Sequence, residues 1–206
     1  MYTANDAVTA YLLKWDKRYA HHNHDPVKFI FRTDLNSGRD LLRCYPHLRH
    51  LMHTLDHLTV NSMDAISGMS CEIPELMERW VPDAPGEIGY RTFDQREWTV
   101  IEVEDNGCGI DPGKVIEAGR QIGAEIDGSD QLKVVNQVFQ PDISTKGTNG
   151  LGLLLARLDV ENLGGRIVVR GTAYVDSGKV RAVGDYDKSH PGTVMRIELP
   201  EEIPVP

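Results

Sequence analysis

The sequence predicts an α+β fold in which helices pack on a largely antiparallel sheet. A hairpin pattern at residues 86–94 and 97–104, and three strand patterns that close the chain at 166–175, 179–186 and 193–199, predict the sheet. Consecutive strands separated by short turns pair antiparallel. A long helix ahead of the hairpin, apolar along one side, supplies a second layer.

The first third of the chain predicts two helices around one strand. Residues 5–20 place apolar side chains at helical spacing, and Asn5 is the expected cap. A strand is expected at 27–32, followed by a turn at 34–38. The long helix then follows at 46–68, with a proline in its first position.

The chain is expected to form one main domain over residues 27–200. Residues 1–26 are expected to form an N-terminal helical appendage, and residues 201–206 a flexible tail. The apolar stripe of the appendage favours packing on the domain, and a homodimer through this helix is the alternative. The stripe consists of Val8, Leu12, Trp15 and Tyr19.

Net charge and cysteine usage limit the partners and the compartment. The net charge of -9, without a basic run, argues against nucleic acid as a partner. Three widely spaced cysteines without a C-x-x-C pattern indicate reduced thiols. No apolar run is long enough for insertion into a membrane. A soluble, cytoplasmic protein is therefore expected.

An acidic residue followed by two alternate glycines closes the second strand of the hairpin, in Asp105-Asn106-Gly107-Cys108-Gly109. Glycines lack the Cβ atoms that would block a flat base, and a carboxylate accepts a hydrogen bond from an exocyclic amine. Many tight turns contain Asp and Gly, but a second glycine cluster at 147–152 opens an apolar helix at 151–163. Together the two clusters predict a nucleotide site.

The segment between the glycine clusters, residues 111–149, contains two short helical patches around 115–119 and 132–138. Long segments of this kind inside a domain are usually functional, so a mobile lid over the nucleotide is expected. Lys114 and Arg120 are interpreted either as cations of this lid or as plain surface.

The long helix separates an apolar side from a polar side at about 100° per residue. The core side carries Leu48, Leu51, Leu55, Leu58, Ser62 and Ile66. The polar side carries His57, Asn61, Asp64 and Gly68. A polar stripe by itself indicates solvated surface. Beside two glycine clusters it favours a ligand, because an Asn oxygen suits Mg²⁺ and a neutral His can take a proton.

These residues carry a resemblance to a known family. The motifs are Asn61 with Asp64, the glycine box at 105–109, Val138-Phe139-Gln140-Pro141, Ser144-Thr145-Lys146, Gly150-Leu151-Gly152-Leu153 and Gly192-Thr193. In this order, over residues 46–200, they resemble GHKL (Bergerat-fold) ATPases, and in particular the catalytic ATP-binding domain of histidine protein kinases. His57 is similar to a histidine of chemotaxis-type kinases, whereas Thr145-Lys146-Gly147 resembles ordinary sensor kinases.

The resemblance implies a two-layer α/β sandwich, the Bergerat fold, with a mixed, mostly antiparallel sheet covered on one face by helices. It implies ATP and Mg²⁺ as cofactors. Asp105 would bind the adenine amine, and Asn61 would be the metal-binding residue. His57 would orient or deprotonate the nucleophile, and Lys146 would meet the γ-phosphate. The other implied cofactor-binding positions are Asp64, Gly107, Gly109, Thr145, Gly150, Leu151, Gly152 and Thr193.

The implied function is phosphoryl transfer from ATP to a histidine, as in two-component signalling. Acceptor histidines of such kinases are usually followed by an acid. The pair that qualifies here, His24-Asp25, precedes Pro26, which breaks a helix. The acceptor is therefore expected on a partner protein or a missing domain. The alternatives are an ATP-gated interaction switch or regulatory module without phosphotransfer, and a serine kinase of a regulatory protein.

Two further groups of residues have simple interpretations. A row of histidines on the long helix could bind zinc, but one helix supplies no convergent fourth ligand. The row is His47, His50, His53 and His57. A solvated strand face is expected for Glu97, Glu102 and Glu104.

Overall fold

The structure is a computed structural model of the 206-residue chain, and it describes residues 2–19, 29–37, 40–42, 45–72, 86–144, 150–186 and 190–201. The helices are α1 (Ala4–Tyr19), α2 (Tyr45–Glu72), α3 (Pro112–Gln121), α4 (Gln131–Val135) and α5 (Leu151–Asn162), and a 3₁₀ helix covers Asn136–Phe139. The strands are β1 (Tyr2–Thr3), β2 (Phe29–Leu35), β3 (Asp40–Leu42), β4 (Gly86–Gln95), β5 (Trp98–Asp105), β6 (Arg166–Asp176), β7 (Lys179–Gly184) and β8 (Gly192–Pro200). The predicted hairpin, long helix and closing strands are all present, with ends shifted by a few residues.

Six strands form one mixed sheet in the order β2-β4-β5-β8-β6-β7. β2 pairs parallel with β4, and the other neighbouring pairs within the described sheet are antiparallel. Strands β1 and β3 pair separately, in a two-stranded sheet. Helices α2 and α5 pack together over the core. The predicted α+β fold with a mixed, mostly antiparallel sheet is confirmed.

Strand β2 extends further than the sequence predicts. The turn expected at 34–38 begins later, because the ladder with β4 runs to the pair Leu35 and Thr92 and holds that stretch extended. After it, Asn36 N donates to Thr92 O at 2.8 Å. The parallel partner, which is distant in sequence, overrides the local turn preference.

Helix α1 is capped by Thr3 and not, as predicted, by Asn5. Thr3 Oγ1 accepts from Asp6 N at 3.1 Å, while Asp6 Oδ2 accepts from Thr3 N at 2.8 Å. This reciprocal pair is a capping box. Asn5 instead donates through Nδ2 to Leu35 O at 3.5 Å. The apolar side of α1 packs on the same chain, through the fully buried Ala4, Ala7, Val8 and Tyr11.

Helix α2 has the two sides that the periodicity predicts. Leu51, Leu55 and Leu58 are fully buried, and Ser62 and Ile66 are nearly so. The helix ends at Glu72, one turn later than expected. Its polar side faces the region described below as the candidate site.

Part of the predicted lid belongs to the core. Buried apolar side chains of this segment include Val115, Ala118, Val134, Val135, Val138, Phe139 and Ile143. The Asn136 side chain fastens the segment to β6, because it donates to Val169 O at 3.2 Å and accepts from Val169 N at 2.8 Å. The two helical patches of the segment thus contribute to the core. The mobility of the lid stays a prediction.

The sheet face opposite the helices carries a charged cluster around Glu102. The expectation of a solvated Glu102 is wrong, since this residue is only 3% exposed. Glu102 Oε1 accepts from Arg170 Nη1 at 3.0 Å and from Arg196 Nη2 at 2.7 Å. Arg91 Nη1 lies 3.5 Å from Oε2. The arginines come from β4, β6 and β8, so only the strand order brings them together. Glu97 is exposed, as expected.

The pair His24-Asp25 and the tail after Glu201 lie outside the described residues. The domain boundaries and the homodimer through α1 stay predictions. Among the described residues, no helix is both long enough and apolar enough to cross a lipid bilayer.

Candidate nucleotide-binding site

A cavity of about 360 Å³ opens between α2, the end of β5 and the start of α5. Elements far apart in sequence meet at its wall. The predicted site residues that line it are Asn61, Asp64, Asp105, Gly109, Gly150, Gly152 and Thr193. Gly107 lies between two of them in the same tight loop.

Asp105 is the last residue of β5 and is only 6% exposed. Its Oδ2 accepts from Ser62 Oγ at 3.1 Å, and its Oδ1 accepts from Gly107 N at 2.9 Å. Both donors are neutral groups. A carboxylate has capacity for more than two hydrogen bonds, and an exocyclic amine is a donor that suits it. The side chain is therefore fixed in place by its neighbours and chemically suited to a base.

The loop after Asp105 is tied to the elements on both sides. Asn106 Oδ1 accepts from Glu87 N at 2.8 Å, which links the loop to β4. Cys108 N donates to Ala65 O at 3.2 Å, which links it to α2. These bonds hold the floor of the cavity against the sheet and the long helix.

The two glycines of this loop are required by the packing of the protein itself. A Cβ on Gly107 would lie 2.7 Å from Ala65 Cβ. Gly109 has φ +73, and a Cβ there would lie 1.8 Å from Ala173 O. Any larger residue would collide with the backbone or with α2. From the sequence, we explained these glycines only by the space that a flat base needs. Contacts within the protein are a second reason for them.

Thr193 lies directly opposite Asp105 in the pairing of β5 with β8. Its hydroxyl is 3.2 Å from that of Thr172 on β6. Thr172 Oγ1 donates to Gly192 O at 2.8 Å and accepts from Ile110 N at 2.9 Å. This hydroxyl pair joins β6, β8 and the loop after Asp105, a position that suits the supporting role that the resemblance implies for Thr193.

Asn61 stands on α2 at the wall of the cavity. Its Nδ2 donates to His57 O at 2.9 Å, and its carbonyl oxygen Oδ1 is the atom that could coordinate a cation. Asp64, one turn further on, is exposed and also lines the cavity. Among the described residues, no group of three or more His, Cys, Asp or Glu side chains could hold a metal ion. Mg²⁺ fits this set because it needs few protein ligands when phosphates and waters complete its shell.

His57 is half-buried beside the cavity, next to the start of α5. Its Nδ1 is 3.5 Å from the place where a Cβ on Gly152 would stand. Burial lowers the pKa of His57, and the neighbouring His53 adds to this effect, while Asp159 and Asp56 oppose it. Its Nε2 is buried with no hydrogen-bond partner among the described residues. The ring is therefore neutral at neutral pH, the form that can accept a proton or orient a nucleophile.

Helix α5 begins at the cavity with a glycine on each side of Leu151. Gly150 is its cap, with φ +63, and a Cβ there would lie 2.9 Å from Ile143 O. Gly152 faces the polar side of α2, where a Cβ would lie 3.7 Å from Asn61 Nδ2. The amides of a first helical turn have no partner inside the helix, and together with the helix dipole they favour phosphate.

Leu151, a described position of the predicted set, does not line the cavity. The side chain of Leu151 is 48% exposed and is not part of the cavity wall. Thr145 and Lys146 lie outside the described residues, as does the rest of the second glycine cluster up to Asn149. Their roles stay predictions.

The sequence interpretation missed several residues of the wall. Periodicity places Ser62 with the core, yet its hydroxyl holds Asp105. The sequence did contain a signal for this contact, namely a serine within an apolar stripe. A buried hydroxyl needs a hydrogen-bond partner, so a polar group was to be expected beside it. Lys114 of α3, which the sequence left open between a lid cation and plain surface, lines the cavity. Apolar walls are formed by Leu58, Ile110, Val138, Ile143, Leu153 and Met195.

The histidine row of α2 is bonded to α5. His50 Nδ1 is 2.6 Å from Asp159 Oδ1, and His53 Nδ1 is 2.6 Å from Asp159 Oδ2. The rings of His53 and His57 are in edge contact, with centroids 4.5 Å apart. One carboxylate of the facing helix therefore holds two members of the row.

Residues 47–203 match a protein family described as histidine kinase-, DNA gyrase B-, and HSP90-like ATPase. The sensor histidine kinase DcuS of Escherichia coli (strain K12) is 30% identical over 120 residues, which cover 58% of this chain and 16% of DcuS. The chemotaxis protein CheA of Bacillus subtilis (strain 168) is 27% identical over 127 residues, which cover 56% of this chain and 18% of CheA. The chain thus spans a small part of the length of these relatives.

Solved structures show the same fold. The mycobacterial sensor histidine kinase MprB superposes with a TM-score of 0.55 at 15% identity, over 96% of this chain and 94% of the other. A catalytic domain of the histidine kinase ThkA superposes with a TM-score of 0.52 at 17% identity, over 98% and 94%. The family match covers most of the chain, including the whole cavity. The chain belongs to the family of histidine kinase-, DNA gyrase B- and HSP90-like ATPases.

Proposed function

We propose that this chain is the Mg-ATP-binding catalytic domain of a cytoplasmic histidine protein kinase in two-component signalling, and that it transfers the γ-phosphoryl group to a histidine. The observation that carries the proposal is the placement of Asp105. This buried carboxylate, held by neutral donors, lines the same cavity as Asn61 and the start of α5.

The end of the cavity near Asp105 suits adenine. Apolar walls, among them Leu58, Ile110 and Met195, can sandwich a flat ring, and the carboxylate can accept a hydrogen bond from the exocyclic amine. Guanine presents a carbonyl oxygen at the corresponding position, which a carboxylate repels. ATP and ADP are therefore expected to bind in preference to GTP.

The other end suits a triphosphate. The first-turn amides of α5, at Gly150 and Gly152, can donate to phosphate oxygens. Asn61 would hold Mg²⁺, which supplies charge neutralisation when it is bound. Local positive charge is needed here because the chain has a net charge of -9. Lys146 would add a point charge at the γ-phosphate.

His57 would act on the incoming imidazole. It stands on α2 one turn before Asn61, and its neutral ring can accept a hydrogen bond or a proton from the nucleophile. Phosphoryl transfer requires mainly positioning and charge neutralisation, so a neutral orienting group is sufficient here.

The test is incubation with γ-labelled ATP and Mg²⁺, with and without a histidine-containing acceptor domain. Acid-labile, base-stable label on a histidine is expected. Asn61→Ala should abolish the label and weaken Mg²⁺-dependent ATP binding, while the exposed neighbour Val60→Ala should leave both unchanged. Nucleotide binding without any label would favour the ATP-gated switch, and acid-stable label on serine would favour the serine kinase. Preference for GTP, or no nucleotide binding at all, would refute the proposal.

A further inference from the structure

The hairpin of β6 and β7 extends beyond the edge of β8, its neighbour in the sheet. The pairing of β6 with β8 ends at Ala173, which lies opposite Gly192. Within the described part of the sheet, residues 174–176 of β6 continue to pair with β7 alone. Two residues of this extension, Tyr174 and Val175, line the nucleotide cavity. The end of the hairpin therefore forms part of the cavity wall.

Tyr174 lies on the part of the wall that adjoins the glycine box. Side chains two residues apart in a strand point to the same face, and Thr172 Oγ1, two residues earlier, accepts from Ile110 N at 2.9 Å. Between them, the backbone oxygen of Ala173 occupies the space that a Cβ on Gly109 would need. Strand β6 thus contacts the loop at 109–110 immediately before Tyr174, which places Tyr174 at the end of the cavity that suits adenine.

The ring of Tyr174 is partly buried near the start of α3. It packs against the main apolar core. Burial raises the pKa of its phenol, and the nearby Asp111 and Asp176 add to this effect while Arg181 opposes it. Asp111 is fixed in place as the cap of α3, because its Oδ1 accepts from Gly113 N at 2.8 Å. The phenol is therefore neutral at neutral pH, and the cavity wall gains an uncharged aromatic surface.

An aromatic wall would supply a selectivity that Asp105 does not provide. The carboxylate accepts a hydrogen bond from an exocyclic amine, and cytosine carries such an amine as well as adenine. Bases stack on aromatic side chains, and the bicyclic ring of a purine offers more surface for this contact than a pyrimidine. A ring close to the carboxylate therefore favours adenine over cytosine.

We propose that Tyr174 is a specificity-determining residue of the nucleotide site, and that its ring contacts the adenine base of bound ATP. This inference rests on the proposed function, and it adds a base-contacting residue to the same site. The sequence analysis places Tyr174 within the strand pattern at 166–175 and gives it no further role. Its position at the cavity depends on the register of β6 with β8 and on the contact of β6 with the glycine box.

The experiment compares Tyr174→Val with Tyr174→Phe in the full chain with Mg²⁺. Valine removes the ring but favours a strand, whereas phenylalanine keeps the ring and removes only the hydroxyl. In Tyr174→Val, calorimetry should show affinities for ADP and ATP that fall by the same factor, roughly fivefold to a hundredfold, because both nucleotides carry the base. Tyr174→Phe should stay within about twofold of wild type. The affinity for CTP, measured by competition against ADP, should fall less than that for ATP.

Lys179→Ala is the matched control. Lys179 is exposed at the tip of the same hairpin and does not line the cavity, so its loss should leave the affinities for ADP and ATP unchanged. A second measurement leaves the ring in place. With ADP bound to wild type, NMR should show NOEs between tyrosine ring protons and H2 or H8 of adenine. Tyr174→Phe assigns them, because the tyrosine signals in question are absent from that variant.

Unchanged affinity for both nucleotides in Tyr174→Val would overturn this inference and leave the proposed function standing. A loss confined to ATP would also overturn it, because the ring would then act at the γ-phosphate, and so would an equal loss for ATP and CTP. If Tyr174→Val does not fold, the wild-type NOEs decide, and their absence overturns the inference. Failure of the wild type to bind ADP or ATP would remove the proposed function as well, and calorimetry of the wild type separates that result from the others.

Discussion

Strand β5 carries two buried carboxylates, three residues apart, on opposite faces of the sheet. Glu102 lies on the face away from the helices, where arginines of β4, β6 and β8 contact it. Asp105 lies on the helix-covered face, where the hydroxyl of Ser62 and the amide of Gly107 hold it. One strand thus presents one acid to cations and another to neutral donors.

These different surroundings suggest different roles: Glu102 contributes to the stability of the fold, and Asp105 to ligand binding. A buried charge is tolerable only when it is paired, and Glu102 is matched by side chains that are always protonated. Its hydrogen-bonding capacity is taken up within the protein. Asp105 is oriented by neutral donors, so its charge can act on a ligand in the cavity. We expect substitutions on the sheet face away from the helices to alter the free energy of unfolding. Substitutions on the helix-covered face should alter nucleotide affinity and the rate of phosphoryl transfer.

The largest effect is expected for Glu102→Ala. Removal of this acid leaves Arg91, Arg170 and Arg196 close together without their common partner. The free energy of unfolding should fall by about 3–5 kcal/mol, as it does when one member of a buried ion pair is deleted. Urea unfolding measures this, and the ATP affinity of the folded fraction should not change. The control is Glu97→Gln at an exposed position, which should barely change the free energy of unfolding. An equally small change in Glu102→Ala would contradict the stabilising role of Glu102.

The next effect is expected on the covered face, for His57→Ala. The rate of phosphoryl transfer should fall by about a hundredfold or more, the range for a general base, while ATP affinity stays near normal. Single-turnover kinetics with labelled ATP, together with calorimetry, separate the two quantities. A rate close to that of wild type would make His57 a bystander beside the cavity.

A smaller effect is expected for Asp105→Asn. Loss of a hydrogen bond to a charged group costs about 1.5–3 kcal/mol, so affinity for ATP and ADP should fall by roughly tenfold to a hundredfold. The free energy of unfolding should change far less than in Glu102→Ala. Calorimetry and urea unfolding of the same sample provide both values. Unchanged affinity would remove Asp105 from the site.

The smallest effect is a displaced pH profile. Burial lowers the pKa of His57 below its ordinary value of 6.5. A base acts in its neutral form, so the midpoint of the acid limb of the transfer rate should lie below pH 6.5. The pH dependence of the wild-type rate tests this, and His57→Gln should flatten the acid limb. A midpoint at or above 6.5 would contradict the environment described for this ring.

The sequence by itself determined the features that depend on neighbouring residues. The hairpin, the closing strands and the two sides of α2 follow from apolar periodicity, which is set by backbone geometry over a few residues. The glycine box followed from steric need, and the structure shows that collisions with Ala65 and Ala173 create that need. The convergence of Asn61 and Asp105 at one cavity was predicted from the order of motifs that the chain shares with its family.

Only the tertiary structure decided which partners surround each buried charge. Strand order brought three arginines to Glu102, and the packing of α5 on α2 brought Asp159 to His50 and His53. It also placed Ser62 beside Asp105 and packed the helical patches of the segment predicted as a lid into the core. Local patterns record whether a side chain faces inward. The identity of its neighbour depends on register and packing between segments up to about a hundred residues apart, which no local pattern encodes.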